Sequence, residues 1–207
     1  MITVHHLENS RSQRILWMLE ELELPYHVQR YERDPKTMLA PKELRRVHPL
    51  GKSPVIEDGG LVVAESGAIV EYLVEKAGGK LGPPPGWGGK LNYRMFLHYA
   101  EGSLMPPLLA LLVVRRLGVL GLPARKPLMK MFARHLDYLD AELSGRPWFA
   151  GEEFTGADIM MSFPLEAAKE RAGLTSEHHH LWEWLQRIHA RPAYQRALQA
   201  GGPYAYA

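Results

Sequence analysis

Residues 78–89 read GGKLGPPPGWGG, and this stretch limits the fold more than any other. Three consecutive prolines remove backbone donors, and the glycines around them favour no regular element, so neither helix nor strand is expected to run through it. The chain before it alternates strand and helix patterns. The chain after it shows helical periodicity alone. The expected organisation is a mixed domain over 1–77, a linker over 78–89 and an all-helical domain over 90–207.

In the first part, ITVHHL (Ile2 to Leu7) reads as a strand and ENSRSQ as a turn. Ile15, Leu19 and Leu22 fall at i, i+4 and i+7, the mark of an amphipathic helix that Pro25 ends. YHVQRY (Tyr26 to Tyr31) reads as a second strand, and β-α-β in this order favours a right-handed parallel crossover. PKELRRV adds a short helical piece. PVIE and LVVA form a hairpin about Asp58-Gly59-Gly60, and Ile69, Leu73 and Ala77 mark the next helix. In the second part, Leu128, Phe132, Leu136, Leu139 and Leu143 hold one apolar stripe, and Leu181, Trp184, Leu185 and Ile188 another. Thr155 and Asp158 have the spacing of a capping box, with Phe154 and Ile159 placed for a hydrophobic staple, so Asp158 is assigned to folding.

Composition removes several functional classes. Formal net charge is only +2, with no dense Lys/Arg run, so nucleic acid is not an expected partner. The chain has no cysteine, which excludes disulfides, Cys-ligated zinc and a protein thiol nucleophile. The start lacks the apolar core of a signal peptide, and the apolar run Leu104 to Val114 is too short to span a bilayer and holds two prolines. The expected compartment is the cytoplasm, with no membrane partner. His178-His179-His180 point in different directions on a helix and His5-His6 alternate on a strand, so no metal is expected. Arg115 and Arg116 fit the lining of an electrophile pocket or a solvated face, and the solvated face is the preferred reading.

The hairpin and its flanks carry the candidate chemistry. Pro54 heads a strand, which marks either an edge strand or a cis bond; about one X-Pro bond in twenty is cis. In the cis case the residue before it turns its backbone groups towards an extended ligand. Ser66 sits at a helix start, where its hydroxyl and free N–H groups make an anion site, and Glu65 beside it supplies the opposite charge. That pair suits the carboxylate and ammonium of an amino acid, and Lys52 suits a second carboxylate. The same residues also fit a plain N-cap, a dipole-matched carboxylate and a surface lysine. Asn9 and Ser10 lie between a strand end and a helix start, a place for caps and equally for ligands. A hydroxyl there, with the helix dipole, is able to hold a bound thiolate. Lowering a thiol pKa by about two units needs roughly 2.7 kcal/mol of preference for the thiolate, within the scale of one charge-assisted hydrogen bond plus a helix end.

Five stretches in order, HHLENSRSQRILWMLEELELPYHV, HPLGKSPVIE, AESGAIVEYL, NYRMFLHYAEGSLMPPL and FTGADIMMSFPL, give the chain a family likeness. It resembles the cytosolic glutathione transferases over nearly its whole length, most strongly the bacterial and fungal Gtt-type, serine-type members. The resemblance implies an α+β two-domain glutathione transferase fold: a thioredoxin-like βαβ-ββα domain followed by an all-α helical bundle. It implies that Pro54 is the family's cis-proline, that Ser53 pairs by backbone with the cysteinyl part of glutathione, and that Glu65 and Ser66 hold the γ-glutamyl end. Lys52 matches a position at the glycyl or cysteinyl portion. Ser10, four residues before Arg14, matches the thiolate-stabilising serine, with Asn9 as its rival. Glu101 resembles an acidic residue that reaches the γ-glutamyl ammonium across a dimer interface. The chain departs from the family's cysteine-type and tyrosine-type classes, having neither residue in the first turn.

The expected function is that of a glutathione S-transferase in detoxification. Glutathione is its co-substrate, no metal is needed, and a small hydrophobic electrophile binds near Tyr99, Met105 and Leu108. A homodimer is expected from the family. A glutathione-dependent peroxidase or isomerase in the same site, and a non-catalytic glutathione-binding regulator, are the alternatives.

Overall fold

A computed structural model describes residues 1–206. They divide into two compact units, Met1–Gly82 with His189–Ala205, and Pro83–Ile188 with Tyr206.

The first unit is built on strands β1 (Ile2–Leu7), β2 (Tyr26–Tyr31), β3 (Val55–Asp58) and β4 (Leu61–Ala64), in the spatial order β2-β1-β3-β4. β1 pairs parallel with β2 from Ile2↔Tyr26 to Leu7↔Tyr31, as the β-α-β reading requires, and antiparallel with β3. β1 is interior to the sheet and almost wholly buried, whereas edge strand β2 alternates and edge strand β4 leaves Leu61 and Val62 exposed. Helices α1 (Ser12–Leu22), a single turn α2 (Leu44–Val47) and α3 (Ser66–Lys76) complete the N-terminal portion. α1 buries Ile15, Leu16, Trp17 and Leu19, and closes on Glu23 in the left-handed region at φ 57° before Pro25.

A late helix, α9 (Pro192–Gly201), belongs to this same unit and packs on α1. Trp17 and Tyr194 meet edge to face with centroids 5.2 Å apart. Arg191 makes a forked pair to Glu21 at 2.5 and 2.8 Å, and Arg196 reaches Glu20 at 2.6 Å. Gly201 closes the helix so tightly that a Cβ there would collide with Gln13 and crowd Leu16 at 3.0 Å.

The second unit holds α4 (Trp87–Tyr99), a π-helical turn (Ala100–Leu104), α5 (Met105–Arg116), a 3₁₀ turn (Gly118–Gly121), α6 (Leu122–Ser144), α7 (Gly156–Arg171) and α8 (His179–His189), whose last residue groups with the first unit. α4 starts at Trp87, inside the stretch expected to be irregular. Gly89 fits there because a Cβ would sit 3.0 Å from Pro84. α4, the π turn and α5 run on as one helix from Trp87 to Arg116, the one helix among the described residues long and apolar enough to cross a bilayer. The short run Leu104 to Val114 does not reveal this length. Pro106 and Pro107 donate nothing to the preceding turn, and the backbone widens into the π turn just ahead of them. α5 packs on α6 and on the almost wholly buried α7; Leu108 and Leu111 are buried on α5, and Phe132, Leu136, Leu139 and Leu143 on α6.

The capping box at α7 forms as the spacing predicts. Asp158 is fully buried and accepts from the N–H groups of Phe149 and Thr155 at 3.0 Å each, and from Thr155 Oγ1 and Trp184 Nε1 at 3.2 Å each. Burial pushes its carboxyl up to about 6 against the pull of those bonds. Replacing it strands three buried N–H donors at once. Asp158→Ala is expected to lower the urea-unfolding free energy by about 3 kcal/mol or more. A loss under about 1 kcal/mol would show that water replaces the carboxylate without penalty.

Candidate functional site

The site is assembled at the carboxyl end of β1. The β1–β3 ladder runs Thr3↔Glu57, Val4↔Ile56, His5↔Val55 and then meets Pro54, which has no N–H to offer. The Ser53–Pro54 bond is cis. From here a side chain takes over from the ladder: Ser53 Oγ donates to the His5 carbonyl at 2.7 Å and accepts from Leu7 N–H at 3.2 Å. Ser53 N–H and C=O make no backbone hydrogen bond among the described residues. Lys52 beside it is exposed.

The β3–β4 register brings Val55 opposite Ala64. Continued by one and two steps, it puts Pro54 level with Glu65 and Ser53 level with Ser66. Glu65 occupies the N-cap of α3 but makes no side-chain cap, and its φ of 71° with ψ of 124° is unfavourable for a residue with a Cβ. Ser66, at the first helical position, is buried. Ile69 N–H closes on the Glu65 carbonyl at 2.9 Å. The N–H groups of Ser66, Gly67 and Ala68 ahead of it have no acceptor among the described residues, so three donors converge at the positive end of α3.

The first turn supplies the third part. Asn9 takes the left-handed conformation at φ 48°, which asparagine tolerates, and its Oδ1 accepts from Ala205 N–H at 2.8 Å. Ser10 is buried, and its Oγ lies 2.8 Å from Ser12 Oγ and accepts from Ser12 N–H at 3.2 Å. Ser12 Oγ in turn lies 2.9 Å from His6 Nδ1 and accepts from Leu7 N–H at 3.2 Å. The Gly201 backbone at the end of α9 lies near the His6 ring and favours its charged form, against the larger effect of burial. Ser12 Oγ also reaches the Leu7 carbonyl at 3.2 Å, so its one proton is shared among Leu7, His6 and Ser10, and either serine hydroxyl is able to donate to the other. His6 and Ser12 are the residues that sequence reasoning missed. His6 read as one of an alternating strand pair, and the serine two residues after Ser10 was the only trace of the chain.

Four candidates lie on the second unit. Tyr99 is half-buried at the end of α4, and its hydroxyl is held by His135 Nδ1 at 2.5 Å. Burial pushes that hydroxyl up to about 12. Glu101 is half-exposed in the π turn, Met105 opens α5 with 5% exposure, and Leu108 is fully buried. Among the described residues, no group of three His, Asp or Glu side chains is placed to hold a metal ion.

Residues 10–76 match the glutathione S-transferase N-terminal domain and residues 123–192 the glutathione S-transferase C-terminal domain. The chain belongs to the glutathione S-transferase family, and its first unit has that family's thioredoxin-like arrangement. It is 37% identical to glutathione S-transferase 3 of Schizosaccharomyces pombe, over 96% of this chain and 87% of that one. It is 32% identical to glutathione S-transferase 1 of Saccharomyces cerevisiae, over 94% and 92%. A solved glutathione S-transferase from Actinobacillus pleuropneumoniae superposes with a TM-score of 0.86 at 34% identity, over 96% and 92% of the two chains. A Pseudomonas fluorescens family member, solved with two glutathione molecules bound, gives 0.81 at 26% identity over 95% and 92%.

His6 makes the site pH-sensitive. Desolvation, aided by the Arg30 charge, lowers its pKa to about 4. That lies below the unfolded value of about 6.5, so between the two the native state binds fewer protons and stability rises with pH. The gap corresponds to about 3 kcal/mol, present above pH 6.5 and lost as pH falls towards 4. The expected result is a steeper rise of unfolding free energy from pH 4 to 6.5 in the wild type than in His6→Asn. Equal slopes would show that His6 is not held neutral.

Proposed function

We propose that the chain is a glutathione S-transferase that binds glutathione along the β3–β4 hairpin and activates its thiolate for attack on a small hydrophobic electrophile. One observation carries the reading. The open backbone of Ser53, the three free N–H groups of α3 with Glu65 beside them, and the Ser10 turn all lie at one end of one sheet. The tripeptide's chemistry suits these groups. The α-carboxylate of the γ-glutamyl end meets the α3 N-terminus, and its ammonium meets Glu65. The cysteinyl backbone pairs with Ser53 in the manner of an added strand, and Lys52 takes the glycyl carboxylate. The thiol falls at the first turn.

Ser10 is proposed as the thiolate donor. Its Oγ is paired with Ser12 Oγ at 2.8 Å, so a bound thiolate has to compete with Ser12 for the Ser10 hydroxyl. The competition favours the thiolate because a hydrogen bond to a charged acceptor is the stronger one. Asn9 is the second reading, since its Oδ1 is held by Ala205 and its amide donor remains available. Tyr99 and Met105 are proposed for the electrophile's side, with Leu108 only as buried apolar wall. Glu101 is proposed to meet the γ-glutamyl ammonium of a second copy in a homodimer, and the cytoplasm is the proposed compartment.

The test is a pH titration of thiolate absorbance with glutathione bound. The bound thiol should ionise about two units below free glutathione, a preference of roughly 2.7 kcal/mol. Ser10→Ala should raise that pKa and lower kcat by about a hundredfold while the glutathione KM changes little. The same loss in Asn9→Ala, with Ser10→Ala silent, would move the role to Asn9. Binding without any shift would overturn the transferase reading.

A further inference from the structure

Between Glu101 and Asp137 the chain carries no carboxylate and six cationic side chains. In the middle of this stretch α5 reverses into α6, and the reversal is apolar on its outside. α5 buries Leu104, Leu108 and Leu111 on one side, which is ordinary for a core helix. Its other side is apolar as well: Leu109, Val113 and Leu117 recur every four residues and are about half exposed, at 54%, 50% and 52%. The row runs on into the tip, where Val119 is 80% exposed, Leu120 84% and Leu122 58%. Isolated exposed aliphatics are normal, but a contiguous group marks an interaction surface.

The tip is held outward by its backbone. Gly118 takes φ 56°, and Gly121 lies so close to the Val114 carbonyl that no Cβ fits between them. The side chains of Val119 and Leu120 therefore stand on a tight, convex turn.

Charge around the tip is of one sign. Arg115 and Arg116 end α5, and Arg125 and Lys126 lie just inside α6; all four are exposed and make no ion pair among the described residues. The first two suit the negative end of their helix. Arg125 and Lys126 sit near the end where the helix dipole favours carboxylates, so the fold itself does not call for them. An apolar crown ringed by cations is the pattern of a segment that enters a lipid headgroup region, with aliphatics below the surface and Lys/Arg at the phosphates. A second copy fits poorly, since a two-fold contact at this tip would set the cations of one copy against those of the other. Nucleic acid gives the four aliphatics no partner.

We propose that the α5–α6 reversal docks peripherally on an anionic lipid surface, with Leu117, Val119, Leu120 and Leu122 inserted and Arg115, Arg116, Arg125 and Lys126 at the headgroups. No spanning segment is needed, and the buried face of α5 stays in the core.

The experiment is co-sedimentation of the full chain with vesicles of phosphatidylcholine alone and of phosphatidylcholine with phosphatidylserine. Binding is expected to the second only, and to weaken as salt rises. The double variants V119S/L120S and R125E/K126E replace exposed side chains, and circular dichroism should show both folded. Each should reduce partitioning by about tenfold or more. Failure of the wild type to bind anionic vesicles at low salt overturns the proposal. So does equal binding to both vesicle types, or wild-type binding by V119S/L120S, which would leave charge alone as the cause. Light scattering gives the last check: if V119S/L120S lowers the oligomeric state of the free protein, the tip is a contact between copies and the lipid proposal falls.

Discussion

A single backbone amide, Leu7 N–H, joins two of the three parts of the site. It lies 3.2 Å from Ser12 Oγ on one side and 3.2 Å from Ser53 Oγ on the other. β1 is an interior strand, and an interior strand must satisfy its backbone on both sides. At its last residues the β3 side fails, because Pro54 brings no donor. Hydroxyls fill the gap. Ser53 replaces a ladder bond with its side chain and so keeps its own N–H and C=O out of the sheet. Ser12 caps the same amide while holding Ser10 in place. The position of the first turn relative to the hairpin is thus set by two serines and one amide.

The same corner explains why the chain returns to this unit at its end. His6 lies beneath the first turn with 2% of its surface exposed, and a neutral imidazole so placed needs partners for both nitrogens. Ser12 Oγ lies 2.9 Å from Nδ1, and the Gly201 backbone lies near the ring. α9 therefore borders the site beside His6, and the Arg191–Glu21 and Arg196–Glu20 pairs fix it on α1.

Much of this was legible from residues alone. Period two in Tyr26 to Tyr31 and period 3.6 in Leu128 to Leu143 identify strand and helix because each element buries one face. The Thr155–Asp158 box was legible for the same local reason. The features that escaped depend on distant partners. Apolar residues in α9 announce burial without saying against what, so its packing on α1 is invisible in sequence. The π turn at Ala100–Leu104 arises from prolines that lie beyond it. His6 and Ser12 look unrelated until a strand end and a helix start fold onto each other. Ser10, Glu65 and Ser66 stand out in the sequence as residues of strand-to-helix turns; the Ser10–Ser12–His6 pairing does not, because it joins a strand end to a helix start.

Glu65 shows how the fold weighs strain against chemistry. Its φ of 71° and ψ of 124° cost on the order of 1–3 kcal/mol for a residue with a Cβ. Glycine would relieve that cost, and serine or aspartate at an N-cap would normally claim the first-turn N–H groups. The chain has neither relief nor cap here. The side chain stays exposed, and three donors stay open beside it. For stability alone this is the wrong choice twice over. It becomes the right one when the donors and the carboxylate face a ligand that carries both charges on one carbon. The α-carboxylate then takes the N–H groups that a cap would have covered, and the ammonium takes the charge that glycine would have removed. The strain is the structural cost of keeping both open, and it falls at the position where the proposed ligand needs both.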